Sequence, residues 1–398
     1  MQTEFSNPFR PGAGHKPPYL AGRIKETEEF RRLLKQDVIL ENLVLTGLRG
    51  VGKTVLLDTL KPVAIQQKWL WVGTDLSESA SIDEERIVLR LLTDLSVLTA
   101  SFVIGEDERP NIGFEAMPSR ADIKLDFETL RSIYAETPGL PADKLKRVLE
   151  VVWTVLKRTP NSGLIFAYDE AQNLSDHSAR DSYPLSLLLE VFQSLQRKSI
   201  PFMLTLVGLP PLFPKLVEAR TYAERMFRVI FLDSLTDSES RDAILKPIED
   251  AQCPVKLDEQ SIELIVSVSG GYPYFIQFIC REVYDAFMQG QTSVPVNEIR
   301  RKLDTDFFAG RWARATDRQR ELLKVIAQLE SADAEFTVQM IAEKSEEILE
   351  KSFSASHVNQ MLVNLANAGL VYKNRHGRYS FAVPLLNDFI LRQMADEK

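Results

Sequence analysis

Gly47-Leu48-Arg49-Gly50-Val51-Gly52-Lys53-Thr54 matches G-x-x-x-x-G-K-[ST] at every fixed position, and its flanks suit the match. Asn42-Leu43-Val44-Leu45-Thr46 before it reads as a buried strand, and Val55-Leu56-Leu57-Asp58-Thr59-Leu60 after it as an apolar helix. Glycines at these places let the backbone curl, so that successive N–H groups point at phosphate oxygens. Lys53 is then placed to reach β- and γ-phosphates and Thr54 to offer a hydroxyl to Mg2+, while the positive end of the new helix faces the anion. This predicts a nucleotide-phosphate loop, with Gly47, Gly50, Val51, Gly52, Lys53, Thr54 and Val55 as binding residues and ATP or ADP with Mg2+ as cofactors.

A second stretch carries the complementary chemistry. Leu164-Ile165-Phe166-Ala167-Tyr168-Asp169-Glu170 is an apolar strand ending in two carboxylates. Asp169 at the strand end suits the Mg2+ shell; Glu170, one residue on, points elsewhere and suits polarising the attacking water. Gln172 just beyond is a candidate γ-phosphate sensor, or simply a solvated helix start. The next strand ends Leu206-Val207-Gly208-Leu209-Pro210, with Gly208 at its terminus and Thr205 the nearest polar candidate. Arg225 and Arg228 flank Met226-Phe227 before a further strand. Arg225 is the first choice for an arginine reaching a nucleotide on a neighbouring subunit, against the alternative of a helix-end arginine bonding terminal carbonyls.

Strands at Trp69–Gly73, Gly163–Tyr168, Pro201–Val207 and Arg228–Leu232 alternate with helices at Ile87–Leu98, Ala142–Lys157 and Tyr183–Lys198. This predicts an α/β core with a parallel sheet covered on both faces, a three-layer αβα arrangement. Residues 105–141 read as an insertion whose structure is left open. After Leu235 the pattern turns wholly helical: a Thr236/Glu239 capping box, a helix from Asp258 to Gly270-Gly271, one from Pro273 toward Phe287, and one near Val296–Leu303. Pro273 stands at the start of a lid helix, where it suits contact with the base or ribose or is merely a proline helix start. From Thr316 the order is three helices, a hairpin around Asn374-Arg375-His376-Gly377, and a last helix, which is the winged-helix order. The expected domains are an ATPase core over 1–235, a helical lid over 236–308 and a winged helix over 309–398.

The chain's 398 residues suggest about two to three domains. Their net charge of −8 argues against coating nucleic acid or anionic membrane non-specifically. Cys253 and Cys280 form no C-x-x-C pair, so a disulfide framework or zinc site is not expected and a reducing cytoplasm is. The stretch from Met1 to Pro18 is polar, and no run approaches the roughly eighteen apolar residues of a membrane span.

These residues resemble the AAA+ and STAND-type P-loop ATPases, and more narrowly the prokaryotic ATPases related to origin-recognition proteins. The resemblance rests on Asn7-Pro8-Phe9, Tyr19-Leu20-Ala21-Gly22-Arg23, Gly47–Thr54, Tyr168-Asp169-Glu170-Ala171-Gln172, Gly208-Leu209-Pro210, Gly270-Gly271-Tyr272-Pro273 and the terminal winged helix. It implies a sheet order of 5-1-4-3-2 and an adenine pocket lined near Tyr19 and Leu20. In hydrolysing relatives the strand ending here at Gly208 offers an Asn, Thr or Ser near the γ-phosphate, and this departure weakens an expectation of fast turnover.

On the winged helix, Lys373, Arg375, His376 and Arg378 suit phosphate contact. Its third helix offers Asn359 and Gln360 among other amides, and no Lys or Arg, so it can read base edges with little electrostatic pull. Double-stranded DNA and a protein partner both remain open as ligands of this domain. The leading expectation is a nucleotide-driven ATPase switch that forms a homo-oligomer if Arg225 acts in trans. Alternatives are a nucleotide-gated scaffold without hydrolysis and a STAND-type regulator whose sensor is a separate partner.

Overall fold

The computed structural model describes residues 6–12, 14–109, 119–291, 294–375 and 377–396. His376 and the middle of the 105–141 segment therefore lie outside the described residues. The chain divides into two compact units. One holds Ile24–Thr46 and Leu56–Phe231; the other holds the residues up to Arg23, Gly47–Val55, and those from Leu232 onward.

The first unit is built on a five-stranded sheet of β1 (Asn42–Gly47), β2 (Trp69–Val72), β3 (Gly163–Tyr168), β4 (Phe202–Gly208) and β5 (Phe227–Leu232), ordered β2-β3-β4-β1-β5. This is the expected 5-1-4-3-2 order. β1 runs parallel to β4, β4 to β3 and β3 to β2, with Thr46 opposite Gly208 and Tyr168 opposite Leu206. Every residue of β1, β3 and β4 is buried, as continuous apolar runs covered on both faces must be. Phe166 sits at the centre, 5.0 Å from the ring of Phe192 on the helix Pro184–Arg197 and 5.7 Å from that of Phe202. Asn42, fully buried, satisfies its amide by donating to Gln196 Oε1 and the Met226 carbonyl and accepting the Leu204 N–H.

The segment left open by the sequence contains an antiparallel hairpin, Val103–Arg109 with Ser119–Lys124, followed by a helix, Phe127–Glu136. The hairpin sequence lacks apolar alternation, so no period-2 signal announced it. The helix is capped by Asp126, whose side chain accepts the Thr129 N–H, and it buries Leu130 and Tyr134 one turn apart.

The second unit is largely helical. Helices Asp237–Asp250, Glu259–Ser269, Pro273–Met288 and Val296–Leu303 start at the caps expected of Thr236, Asp258 and Pro273. Helices Asp317–Ile326, Val338–Ile348 and Ala355–Asn367 follow, then strands Val371–Arg375 and Arg378–Phe381 and the helix Leu386–Asp396. Phe336 pairs with Tyr379 through two backbone hydrogen bonds, a single bridge at the edge of the two-stranded wing. One apolar core runs from Phe275 and Ile276 through Phe308 to Leu322, Leu362 and Phe389, so lid helices and winged helix pack as one body. Arg392 forks onto Asp304 across that body.

Candidate nucleotide site

The phosphate loop lies in the largely helical unit, between β1 and the helix Lys53–Gln66. Gly50 and Gly52 have φ of 78° and 92°, the left-handed region open to glycine without a Cβ penalty. The Lys53 ammonium donates to the carbonyls of Gly47 and Leu48 at 3.0 and 2.9 Å, which folds it over the loop. Thr54 and Val55 are half-buried in the first helical turn.

Two residues outside the motif brace the loop. The buried guanidinium of Arg23 donates to the carbonyls of Val51 (3.0 Å) and Asp233 (2.8 Å). Gly22-Arg23 lies in the stretch that carries the resemblance, in which Tyr19 and Leu20 are the expected base contacts; both of those are half-buried, with Tyr19 packed against the lid core. The second brace is Tyr274, whose N–H donates to the Gly50 carbonyl at 3.2 Å. Pro273 thus opens its helix directly beside the loop-binding Tyr274. The turn before it depends on Gly271, whose φ is 73° and whose backbone lies so close to Leu235 that an added Cβ would sit 2.4 Å from that carbonyl oxygen.

In the sheet-bearing unit, Asp169 and Glu170 follow β3 at the carboxyl edge of the sheet, the same edge at which Thr46 of β1 pairs with Gly208 at the end of β4. Asp169 is buried and its Oδ1 accepts the Glu170 N–H at 2.7 Å. Glu170 is exposed in a left-handed conformation, φ 52°, which turns it out of line with the strand. The Gln172 amide donates to Glu170 Oε2, and its Oε1 accepts the Leu209 N–H at 3.1 Å. Gly208 makes the room: a Cβ there would lie 2.6 Å from Gln172 Oε1. Lys215, its pKa lowered by burial, holds the same turn by donating to the Gln172 carbonyl and to Ser175 Oγ.

Thr205 requires a correction. It lies in mid-strand, three residues before Gly208, opposite Leu43 and Ala167. It is fully buried, with no hydrogen-bond partner for its hydroxyl. A position that far back along a strand does not reach the carboxyl edge, because each residue advances the chain by about 3.3 Å. The polar group beside Gly208 is Gln172 instead.

Arg225 lies exposed on the short helix Ala223–Met226, and among the described residues no carboxylate pairs with it. Arg228 is engaged by Glu29 (3.1 Å) and Glu41 (3.7 Å). On the winged helix, Asn359, Gln360, Lys373 and Arg378 are exposed, and the Tyr379 hydroxyl donates to Asn359 Oδ1 at 3.3 Å. Arg375 belongs to the first wing strand.

Thr54 hydroxyl and Asp169 carboxylate are hard oxygen donors of the kind Mg2+ takes, and burial of Asp169 suits a group whose charge a cation offsets. Among the described residues no cluster of three or more His, Cys, Asp or Glu could hold a metal. A Mg2+ ion held mainly by phosphate oxygens and water needs no such cluster. Among them, too, no helix is long and apolar enough to cross a membrane.

The model of the AAA ATPase domain family matches residues 19–207, and that of a domain family of unknown function, DUF8462, matches residues 305–390. No curated protein matches the sequence. Among solved structures, the Walker-type ATPase of Pyrococcus abyssi is 14% identical, with 94% of this chain and 97% of that chain covered and a TM-score of 0.59. The ORC2 protein of Aeropyrum pernix in its ADP form is 15% identical, with 97% and 98% covered and a TM-score of 0.57. Its ADPNP-ADP complexes match at 14% identity over 97% and 98%, with a TM-score of 0.54. Residues 19–207 match the model of the AAA ATPase domain family, and the chain as a whole shares its fold with the Walker-type ATPase of Pyrococcus abyssi and the ORC2 protein of Aeropyrum pernix.

Proposed function

We propose that this chain is a Mg2+-dependent ATPase that works as a nucleotide-driven switch. The observation that carries the reading is the hydrogen bond from Tyr274 at the head of the lid helix to Gly50 in the phosphate loop. Lid, winged helix and loop belong to one compact unit, so a change at the phosphates would reach the terminal domain without a long relay. In this reading the loop amides and Lys53 bind the phosphates, Tyr19 and Leu20 flank the base, and Pro273 abuts the ribose. Thr54 and Asp169 would hold Mg2+, which when bound neutralises phosphate charge. Glu170 accepts a proton from the attacking water. Arg225 acts on a nucleotide held by a second copy, and the winged helix passes the change to duplex DNA or to a protein partner.

Steady-state phosphate release by the wild type and by Glu170→Gln tests the assignment. The variant should bind ATP normally and release no phosphate; unchanged turnover would sink it. A second reading, a nucleotide-gated scaffold with negligible hydrolysis, draws support from Gly208 and from the Gln172 amide that occupies Glu170. Turnover that rises on adding duplex favours the switch, and none under any condition favours the scaffold.

A further inference from the structure

The Asn7-Pro8-Phe9 stretch has a place in the fold that the ATPase reading does not use. The Asn7 amide donates to the Arg281 carbonyl at 3.2 Å and to Asp285 Oδ1 at 3.1 Å, both on the lid helix Pro273–Met288. Its side-chain oxygen accepts the Phe9 N–H at 3.0 Å, and the Phe9 ring is buried in the lid core. The Arg10 N–H then donates to Gln277 Oε1 at 3.1 Å. Gln277, Arg281 and Asp285 recur every four residues and so line one face of that helix. Asn7 meets the later two and Arg10 the first, so the chain runs back along the helix toward Tyr274, where the helix meets the phosphate loop.

Past Arg10 the chain turns, with the Gly12 carbonyl accepting the His15 N–H at 3.4 Å. Gly14 comes so near the loop that a Cβ on it would lie 3.6 Å from the Thr54 methyl. The far end is fixed at Arg23, whose buried guanidinium holds the Val51 and Asp233 carbonyls. A strap therefore crosses the phosphate loop at Thr54 between two tethered ends. Gly14, His15 and Lys16 are exposed, and an exposed middle between anchored ends can lift by local opening while the core stays folded. Between Ser6 and Pro18 the sequence carries Arg10 and Lys16 and no acid, so the strap brings positive charge to a loop suited to a polyanion.

We propose that this strap, tethered at Asn7 and Arg10 and crossing at Gly14, is a gate for nucleotide exchange. It closes over the Thr54 side of the site, and its tethers to the lid helix part before a nucleoside di- or triphosphate enters or leaves. The proposal rests on the nucleotide reading above and deepens it, because the lid helix then sets how long a nucleotide stays. Such a gate adds the same barrier to entry and to exit, so weakening it changes both rates and leaves affinity alone.

Stopped-flow fluorescence with N-methylanthraniloyl-ADP and Mg2+ on the full chain reads both rates. Asn7→Ala, which loses both bonds to the lid helix, should raise the association and dissociation rate constants alike by about fivefold, the worth of one net hydrogen bond in an opening equilibrium. Their ratio, Kd, should stay within about twofold. Gln277→Ala removes the Arg10 tether instead and should act in the same way, which keeps the test open should Asn7→Ala melt well below the wild type. A contact that merely supports the bound nucleotide would speed dissociation and leave association as it was. A change in only one of the two rates, or in neither, overturns the proposal. A wild type that binds no nucleotide overturns the underlying reading instead.

Discussion

Gln172 stands between Glu170 and the end of β4. Its amide nitrogen donates to the Glu170 carboxylate, and its oxygen accepts the Leu209 N–H at 3.1 Å. The engaged oxygen of the glutamate can meet a water only once this hydrogen bond is given up. The side chain reaches this place only because position 208 has no Cβ.

Replacing Gln172 with Ala should therefore raise basal phosphate release. Removing one hydrogen bond to a charged partially exposed group is worth about 1 kcal/mol, or about fivefold in rate. Nucleotide affinity should not change. A fall in rate would mean that Gln172 positions Glu170 rather than restraining it.

Arg23 should matter more than its place outside the motif suggests. Its buried guanidinium spans two carbonyls on separate segments, Val51 and Asp233. Arg23→Ala should lower unfolding free energy by about 2 kcal/mol and weaken ATP and ADP together, because the loop loses a brace rather than a ligand contact. Arg23→Lys should not rescue it, since an ammonium has no fork to span both acceptors. Urea unfolding with nucleotide titration on the same samples checks both. Stability lost without any change in affinity would refute the bracing role.

What the sequence disclosed and what it hid follow from how local each signal is. The loop, the strand ending in Asp169-Glu170, the capped lid helices and the wing were legible because each is specified within a few residues. Arg23 and Tyr274 were not, since their partners lie far along the chain. Thr205 misled because residue type was read without register. Only pairing opposite Leu43 and Ala167 reveals that it sits inside the sheet. The hairpin near residue 105 was hidden by charged residues that fit a strand as poorly as a loop.

Gly271 and Gly377 share φ of 73° but not surroundings. An added Cβ meets the Leu235 carbonyl oxygen at 2.4 Å at the first and nothing within 4 Å at the second. Gly377→Ala should cost about 1 kcal/mol, the strain of a left-handed alanine alone. Gly271→Ala should cost at least about 3 kcal/mol, because backbone must also move. Equal losses in chemical denaturation would show that the lid turn yields without penalty.

On the winged helix, Lys373 and Arg378 are exposed, and the third helix presents amides rather than cations. If this face meets duplex DNA, Lys373→Ala and Arg378→Ala should each weaken binding at low salt and lessen the salt slope by about 1. Gln360→Ala should leave the slope alone and alter sequence preference. Fluorescence anisotropy over a salt series separates these effects. No binding by the wild type in low salt would turn attention to a protein partner.

Arg225 and Arg228 flank the start of β5 with opposite prospects. Arg228 is held by Glu29 and Glu41 in the same unit. These pairs are largely exposed, so Arg228→Ala should cost under about 1 kcal/mol and leave assembly unaffected. Arg225 has no such acidic partner among the described residues and lies on the exposed side of a short, half-buried helix. Its removal should leave the isolated chain as stable as before yet abolish ATP-dependent association, if it reaches a nucleotide on a second copy. Light scattering with ATPγS and with ADP reads this directly. The Glu170→Gln chain gives a sharper form of the test, because it retains ATP long enough for assemblies to accumulate. A monomer in every nucleotide state, or assembly undiminished in Arg225→Ala, would remove the arginine from any reaction between subunits and leave it a surface cation.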